Sequence, residues 1–129
     1  MKEMEYKQNS NERYEVLDSG IKNGFPWMII SYFNHPCAYI GLPKKHKYYG
    51  KFYEDIEIDC HGGLTFSKFR FLADKLEIFK NHWVIGWDYA HLGDYHFGLF
   101  SSMLLENKKW TTKEIKKEVF DVIKQLKVD

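Results

Sequence analysis

The stretch Trp83–Tyr95, WVIGWDYAHLGDY, spaces Asp88, His91 and Asp94 three residues apart and interleaves them with Trp87, Tyr89 and Tyr95. On a helix this spacing gives one broad face. In a loop, which Gly93 favours, the three side chains can converge on a point. Two carboxylates and an imidazole serve either of two chemistries: ligation of a divalent metal through oxygen and nitrogen, or acid–base work with His91 oriented by an aspartate. The structural alternative has Asp88 capping the loop through its own backbone, His91 filling a polar slot and Asp94 opening a turn. Trp87, beside Asp88, is the tryptophan expected to stack on a flat ligand, while Trp27, Trp83 and Trp110 are expected in the scaffold.

A second stretch is His61-Gly62-Gly63-Leu64-Thr65, which offers an imidazole, a hydroxyl and glycine N–H groups that no Cβ shields from an anion. A tight turn or bulge explains the same glycines without a ligand. The basic run Lys44-Lys45-His46-Lys47, followed by Tyr48 and Tyr49, is the expected rim of an anion pocket; taken without the tyrosines it reads as a solvated loop. Cys60 and His61 are neighbours and, on a strand, point to opposite faces, so they cannot form a dyad with each other. Pairing of Cys60 with His91 stays open geometrically. Buried, inert thiols are the expected fate of Cys37 and Cys60.

The elements that must position these groups are read from periodicity. Arg13–Asp18 alternates as a strand, Ser19 to Gly24 has turn chemistry, and Trp27–Phe33 completes a hairpin. Asn34-His35-Pro36 should break that strand before a short one over Cys37–Leu42, bracketed by Pro36 and Pro43. Pro43–Lys51 reads as a loop with room for one helical turn. Ile56–Cys60 alternates apolar and acidic residues as a half-exposed strand, Leu64–Phe69 is extended, and Trp83–Asp88 is a strand leading into a loop over 89–96. Residues 70–82 suit a short helix or a loop equally, and 97–105 carry no clear period. Thr111-x-x-Glu114 is a capping-box signature, and Ile115, Val119, Val122, Ile123 and Leu126 then share one helical face over 112–127. The expected architecture is α+β: a mainly antiparallel sheet of five or six strands with a C-terminal amphipathic helix on one face. Residues 1–12 are expected to form a flexible arm and 13–129 a single domain.

At 129 residues the chain can bury a core without metal or disulfide staples, and its 18% aromatic content favours a sheet-rich domain. A net charge of +1 with interspersed signs argues against broad nucleic-acid binding. With no apolar run near twenty residues and no leader pattern at the start, a soluble, cytoplasmic protein with free thiols is expected. Two cysteines cannot build a cysteine-paired metal site.

The loop Pro43-x-x-His46-x-x-Tyr49-Gly50, the HGGLTF segment from His61 to Phe66, GWDYAHLGDY from Gly86 to Tyr95, and the terminal Ile123-x-Gln125-Leu126 together resemble a family of small proteins encoded by tailed bacteriophages and prophages. The resemblance spans roughly residues 27 to 126. It implies a phage or prophage accessory protein acting in the host cytoplasm, with an anti-defence role as the expectation, and carries no established reaction. Combined with the residues themselves, it gives three readings. The first is a binder that holds a small anionic, nucleotide-type ligand among Lys44, Lys45, His46, Tyr49, His61, Gly62, Gly63, Thr65, Trp87, Asp88, His91 and Tyr95, with a homo-oligomer as one way to complete the pocket. The second is a hydrolase in which His61, Asp88, His91 and Asp94 are catalytic, or in which Asp88, His91 and Asp94 hold a divalent metal while the HGG amides stabilise an oxyanion. The third is a direct inhibitor of a host defence protein through an aromatic surface. The first two readings require His61, Asp88 and Asp94 to face a common hollow.

Overall fold

Asn23-Gly24 forms a two-residue turn between paired strands. Both residues take positive φ, 53° and 84°, and Lys22 pairs directly with Phe25. This is the two-residue hairpin that an Asn-Gly pair specifies. It joins β1 (Tyr14–Lys22) to β2 (Phe25–Tyr32). The expected turn over Ser19–Gly24 is therefore narrower than its composition suggested: Ser19, Gly20, Ile21 and Lys22 pair with Met28, Trp27, Pro26 and Phe25 as strand. A register shift between Val16 and Asp18 bends this outer strand. The computed structural model describes residues 14–32, 35–69, 71, 77–89 and 110–127. The arm over 1–12, His91, Asp94, Tyr95 and the segment 97–105 lie outside the described residues.

β3 (His35–Leu42) pairs antiparallel with β2, and His35 and Pro36 belong to the strand instead of breaking it. β4 (Phe66–Phe69) and β5 (Trp83–Asp88) complete an antiparallel sheet in the order β1-β2-β3-β5-β4. The helix α1 (Thr112–Leu126) begins at the expected capping box: the Thr111 hydroxyl accepts from the Glu114 amide at 3.1 Å, and the Glu114 carboxylate accepts from the Thr111 amide at 3.0 Å. Its buried stripe is the expected one, Ile115, Val119, Val122, Ile123 and Leu126. Each such side chain contributes about 1.5–3 kcal/mol by leaving water. The fold is thus α+β, a five-stranded antiparallel sheet with one C-terminal helix packed on it. Among the described residues no helix is long and apolar enough to cross a membrane.

Side-chain alternation divides the core by face. Phe25, Trp27, Ile29, Ala38, Ile40, Ile85 and Trp87 meet the helix. Met28, Ile30, Cys37, Tyr39 and Val84 point the other way, against Phe79 of a 3₁₀ turn (Glu77–Phe79) and against Phe66 and Phe71. Gly86 is required on that second face. A Cβ there would lie 2.5 Å from the Tyr39 ring and 2.8 Å from the Ala38 carbonyl oxygen, so its bare backbone lets Tyr39 and Phe66 meet across it, ring centroids 5.3 Å apart.

The expected strand over Ile56–Cys60 is corrected. The segment alternates, with Ile56 buried and Glu57 and Asp59 exposed, but it joins no sheet. Its pairing partner is a side chain: the Asp59 amide donates to Gln125 Oε1 and Gln125 Nε2 donates to the Asp59 carbonyl, both at 2.8 Å. A primary amide reproduces the donor–acceptor pair of a neighbouring strand, so a strand-like pattern is satisfied by the helix.

Candidate functional site

The loop between β3 and the segment at Ile56 is a chain of turns, each closed by an amide three residues after its carbonyl. The His46 amide donates to the Pro43 carbonyl at 2.9 Å, the Tyr49 amide to His46 at 3.0 Å and the Lys51 amide to Tyr48 at 3.0 Å, and Gly50 supplies the left-handed residue, φ 82°. The Pro43-x-x-His46-x-x-Tyr49-Gly50 spacing is therefore the spacing of successive turns. His46 ties the loop to the helix. Its Nε2–H donates to the Leu126 carbonyl at 2.8 Å and its Nδ1 accepts from the Tyr48 amide at 3.0 Å, which fixes the neutral tautomer. The ring also meets the edge of Phe25 at 5.7 Å.

With the imidazole engaged, the lysines are left facing water. Lys45, Lys47 and Lys127 surround a hollow of about 450 Å³ that His46, Phe25, Pro43 and Asn23 also line, and no acidic residue is among these described lining residues. Its floor is apolar and its rim is cationic. Of the residues expected at the rim, Lys45 and His46 are there. Lys44 is exposed outside it, and Tyr49 turns away to pack near Phe69 and Trp83, at 6.2 and 6.5 Å.

The HGG stretch is not part of this hollow, and the amides of His61 and Gly63 are engaged within the protein. Gly62 and Gly63 both have positive φ, 69° and 81°, as a tight turn requires. The Gly63 amide donates to the Cys60 carbonyl at 2.9 Å, and the His61 amide to Glu118 Oε2 at 2.7 Å. The same carboxylate accepts a hydrogen bond from the Tyr89 hydroxyl on Oε1, while Trp87 Nε1 donates to the Tyr89 oxygen at 3.0 Å. The His61 ring stacks on Tyr89 at 4.6 Å and 10°, and Trp110 packs against both rings. Burial first, and then the bond to Glu118, push the Tyr89 phenol well above its ordinary value, so it stays protonated. Cys60 is pushed up to about 12, by burial first and then by the charges of Glu118 and Asp59. A thiol held protonated in this way is no nucleophile. The cluster is a structural knot that closes the turn onto the helix, and a carboxylate at its centre repels an anion.

Trp87 is corrected too. It is 1% exposed and belongs to the core beneath the helix, so it offers no face to a ligand from solvent. Asp88, one position later on β5, must project from the other face of the sheet. There it pairs across the strands with Cys37 and lines a second cavity with His35, Cys37, Tyr39, Thr65 and Phe66. His61 and Asp88 therefore face away from each other, separated by the sheet, and the expected common hollow does not form between them. Thr65 alone of the HGG stretch reaches the Asp88 side. Among the described residues no three His, Cys, Asp or Glu side chains group to hold a metal.

Sequence reasoning missed Glu118 and Tyr89 as the centre of the buried polar network. A signal existed: Glu118 lies three residues after Ile115 and four before Val122, an acid within the apolar stripe. Comparison of the chain with protein-family models, with curated proteins and with solved structures returns no match.

Proposed function

We propose that this protein is a binder of a small anionic ligand of the phosphate-bearing, nucleotide type, held in the hollow edged by Lys45, Lys47 and Lys127. The single observation that carries this reading is that cations of three separate chain positions surround one apolar-floored concavity lined by no acid. Helix C-termini favour nearby cations in any case, which accounts for Lys127 but not for Lys45 and Lys47 on the facing loop. Lysines recognise phosphate as mobile point charges. Phe25 and Pro43 would take the uncharged part of the ligand, and a volume of about 450 Å³ falls in the range of small-molecule pockets. The pinned imidazole of His46 holds the loop against the helix, so the rim is pre-shaped before a ligand arrives.

The resemblance of the motifs to small phage and prophage proteins supports an accessory, anti-defence role for such a binder, in which capture of a nucleotide signal needs no turnover. The test is calorimetric titration with a panel of mono-, di- and cyclic nucleotides and inorganic phosphate, followed by mass spectrometry of the recovered ligand. Saturable binding that weakens with added salt, is lost in Lys45→Glu and Lys127→Glu, and returns the ligand unaltered supports the reading. Binding that ignores both substitutions, or the absence of binding across the panel, rejects it.

A further inference from the structure

The strand β1 ends the sheet, with β2 as its one neighbour among the described residues. Apolar side chains stand on this edge: Val16, Leu17 and Ile21 are exposed to 40%, 38% and 70%. In an antiparallel ladder every second residue turns its N–H and C=O to the neighbouring strand, and the residues between turn theirs away. Lys22 flanks the two-residue turn, so Lys22, Gly20 and Asp18 bond to Phe25, Trp27 and Ile29. Ser19 and Ile21 therefore offer their backbone groups outward. Leu17 is passed over in the register with β2. Beyond this bulge the alternation on β2 continues to Ser31, which bonds Glu15, and Val16 faces outward as well.

We propose that this edge is a dimer interface, in which β1 pairs antiparallel with β1 of a second copy of the chain about a two-fold axis at Ser19. The bulge counts as a single ladder position, so Val16 and Ile21 each lie two positions from Ser19, and Glu15 and Lys22 each lie three. Val16 of one protomer then falls opposite Ile21 of its partner, and Glu15 opposite Lys22, each twice. Outward residues meet outward residues, Ser19 with Ser19 and Val16 with Ile21, as main-chain bonding between two edges requires. The faces agree too. Val16 and Ser19 align with Ile30 and Met28 on the face away from the helix, and Ile21, two positions on from Ser19, shares it. The exposed aliphatic side chains thus cover one another. Glu15 and Lys22 lie on the helix face, where Lys22 Nζ sits 4.9 Å above the Phe120 ring. An ammonium with three donors serves the ring and a carboxylate together. Charge selects the register: a two-fold at Asp18 sets Asp18 against itself, and one at Val16 sets Glu15 against Asp18. A two-fold at Gly20 carries residues 14–16 past the turn. Bulges and charges often keep an edge from pairing. Here the bulge makes the two halves of the strand equal, and the charges brought opposite are of unlike sign. A two-fold contact closes on itself, so both edges are consumed within the dimer. This surface needs no ligand, so it and the anion site stand or fall independently.

The test is sedimentation velocity of the whole chain from about 1 to 100 μM, a span that separates weak from tight association. The mass should move from one 15.5 kDa chain towards two as concentration rises. Ile21→Lys, at a side chain 70% exposed, should leave the thermal midpoint of the monomer unchanged. It should weaken the dimer at least about tenfold, because the apolar contact it removes occurs on both sides of the axis. Glu15→Lys should weaken the dimer, and Glu15→Lys combined with Lys22→Glu should restore it. The Cα atoms of a hydrogen-bonded pair lie about 5.5 Å apart, within reach of a disulfide. Ser19→Cys should therefore cross-link on mild oxidation, with the parent chain as control, and Glu15→Cys should not. A monomer at every concentration, a dimer indifferent to Ile21→Lys, a charge-swapped chain no tighter than Glu15→Lys, or equal cross-linking at positions 15 and 19 would overturn the assignment.

Discussion

Two loops of this protein carry a histidine beside small or basic residues, and each is fastened to the same helix, yet they end in opposite conditions. At Pro43–Lys51 one side chain carries the attachment: His46 bonds the Leu126 carbonyl and the Tyr48 amide, leaving the neighbouring lysines exposed. At His61–Gly63 the attachment consumes the loop itself, since two of its amides donate to Cys60 and Glu118 and its imidazole is stacked on Tyr89. Polar residues in a loop become available to a ligand only when something else satisfies the backbone. The difference lies in who does the fastening, and that is decided by one residue of the helix in each case.

Removing the fastening at the HGG turn should therefore produce the largest effect. Glu118→Ala leaves the buried Tyr89 hydroxyl and the His61 amide without their acceptor, at a cost of roughly 2–4 kcal/mol for two such losses. Chemical denaturation should show the midpoint falling with the slope unchanged. A loss below about 0.5 kcal/mol, the level of an ordinary surface change, would mean that the knot is not structural and would restore His61 as a candidate for ligand contact. Smaller is the effect expected from Gly63→Ala, about 1–2 kcal/mol, because φ there is 81° and an alanine resists the left-handed region. Space is not the reason, as a Cβ at Gly63 would touch nothing. The basic loop should answer in the opposite way. Lys45→Glu and Lys127→Glu should shift stability by no more than about 0.5 kcal/mol while weakening anion binding tenfold or more. A destabilisation as large as that of Glu118→Ala would erase the distinction between the two loops.

Much of the fold was legible because its signals were local. Thr111 and Glu114 announce the start of the helix, and Trp83–Asp88 is a strand with the bounds its sequence suggests. The segment Ile56–Cys60 was misread because its alternation is real while its partner, the Gln125 amide, is 66 residues away from Asp59 and is a side chain. The site was less legible for a similar reason. Spacing puts Asp88 near His91 and Asp94 along the chain, but says nothing about His61, which sits across the sheet. Strand alternation could have warned of this: Trp87 and Asp88 are consecutive on β5, a tryptophan of that size belongs under the helix, and the aspartate then has to face the other way. Lys45 and His46 were found because a cluster of cations needs no long-range partner to be noticed, whereas Lys127 joins them only through the packing of the helix end.

The two thiols sharpen the comparison at the smallest scale. Burial lifts Cys37 and Cys60 from an ordinary value of 9.0 to about 12, so the folded protein holds these protons at a pH where the unfolded chain releases them. The stability this contributes is complete below pH 9 and is lost as the pH rises towards 12. Stability should thus decline across that interval, and alkylation of native protein by iodoacetamide at pH 8 should be far slower than in denaturant. Glu118→Gln separates the causes at Cys60. It removes a charge and retains an acceptor for Tyr89, so the onset of alkylation should move down only slightly if burial is the leading cause. A return of Cys60 to ordinary thiol reactivity in that variant, with Cys37 unchanged, would show that the turn is held shut by the carboxylate alone, and the HGG amides would then be within reach of a ligand whenever Glu118 is neutralised.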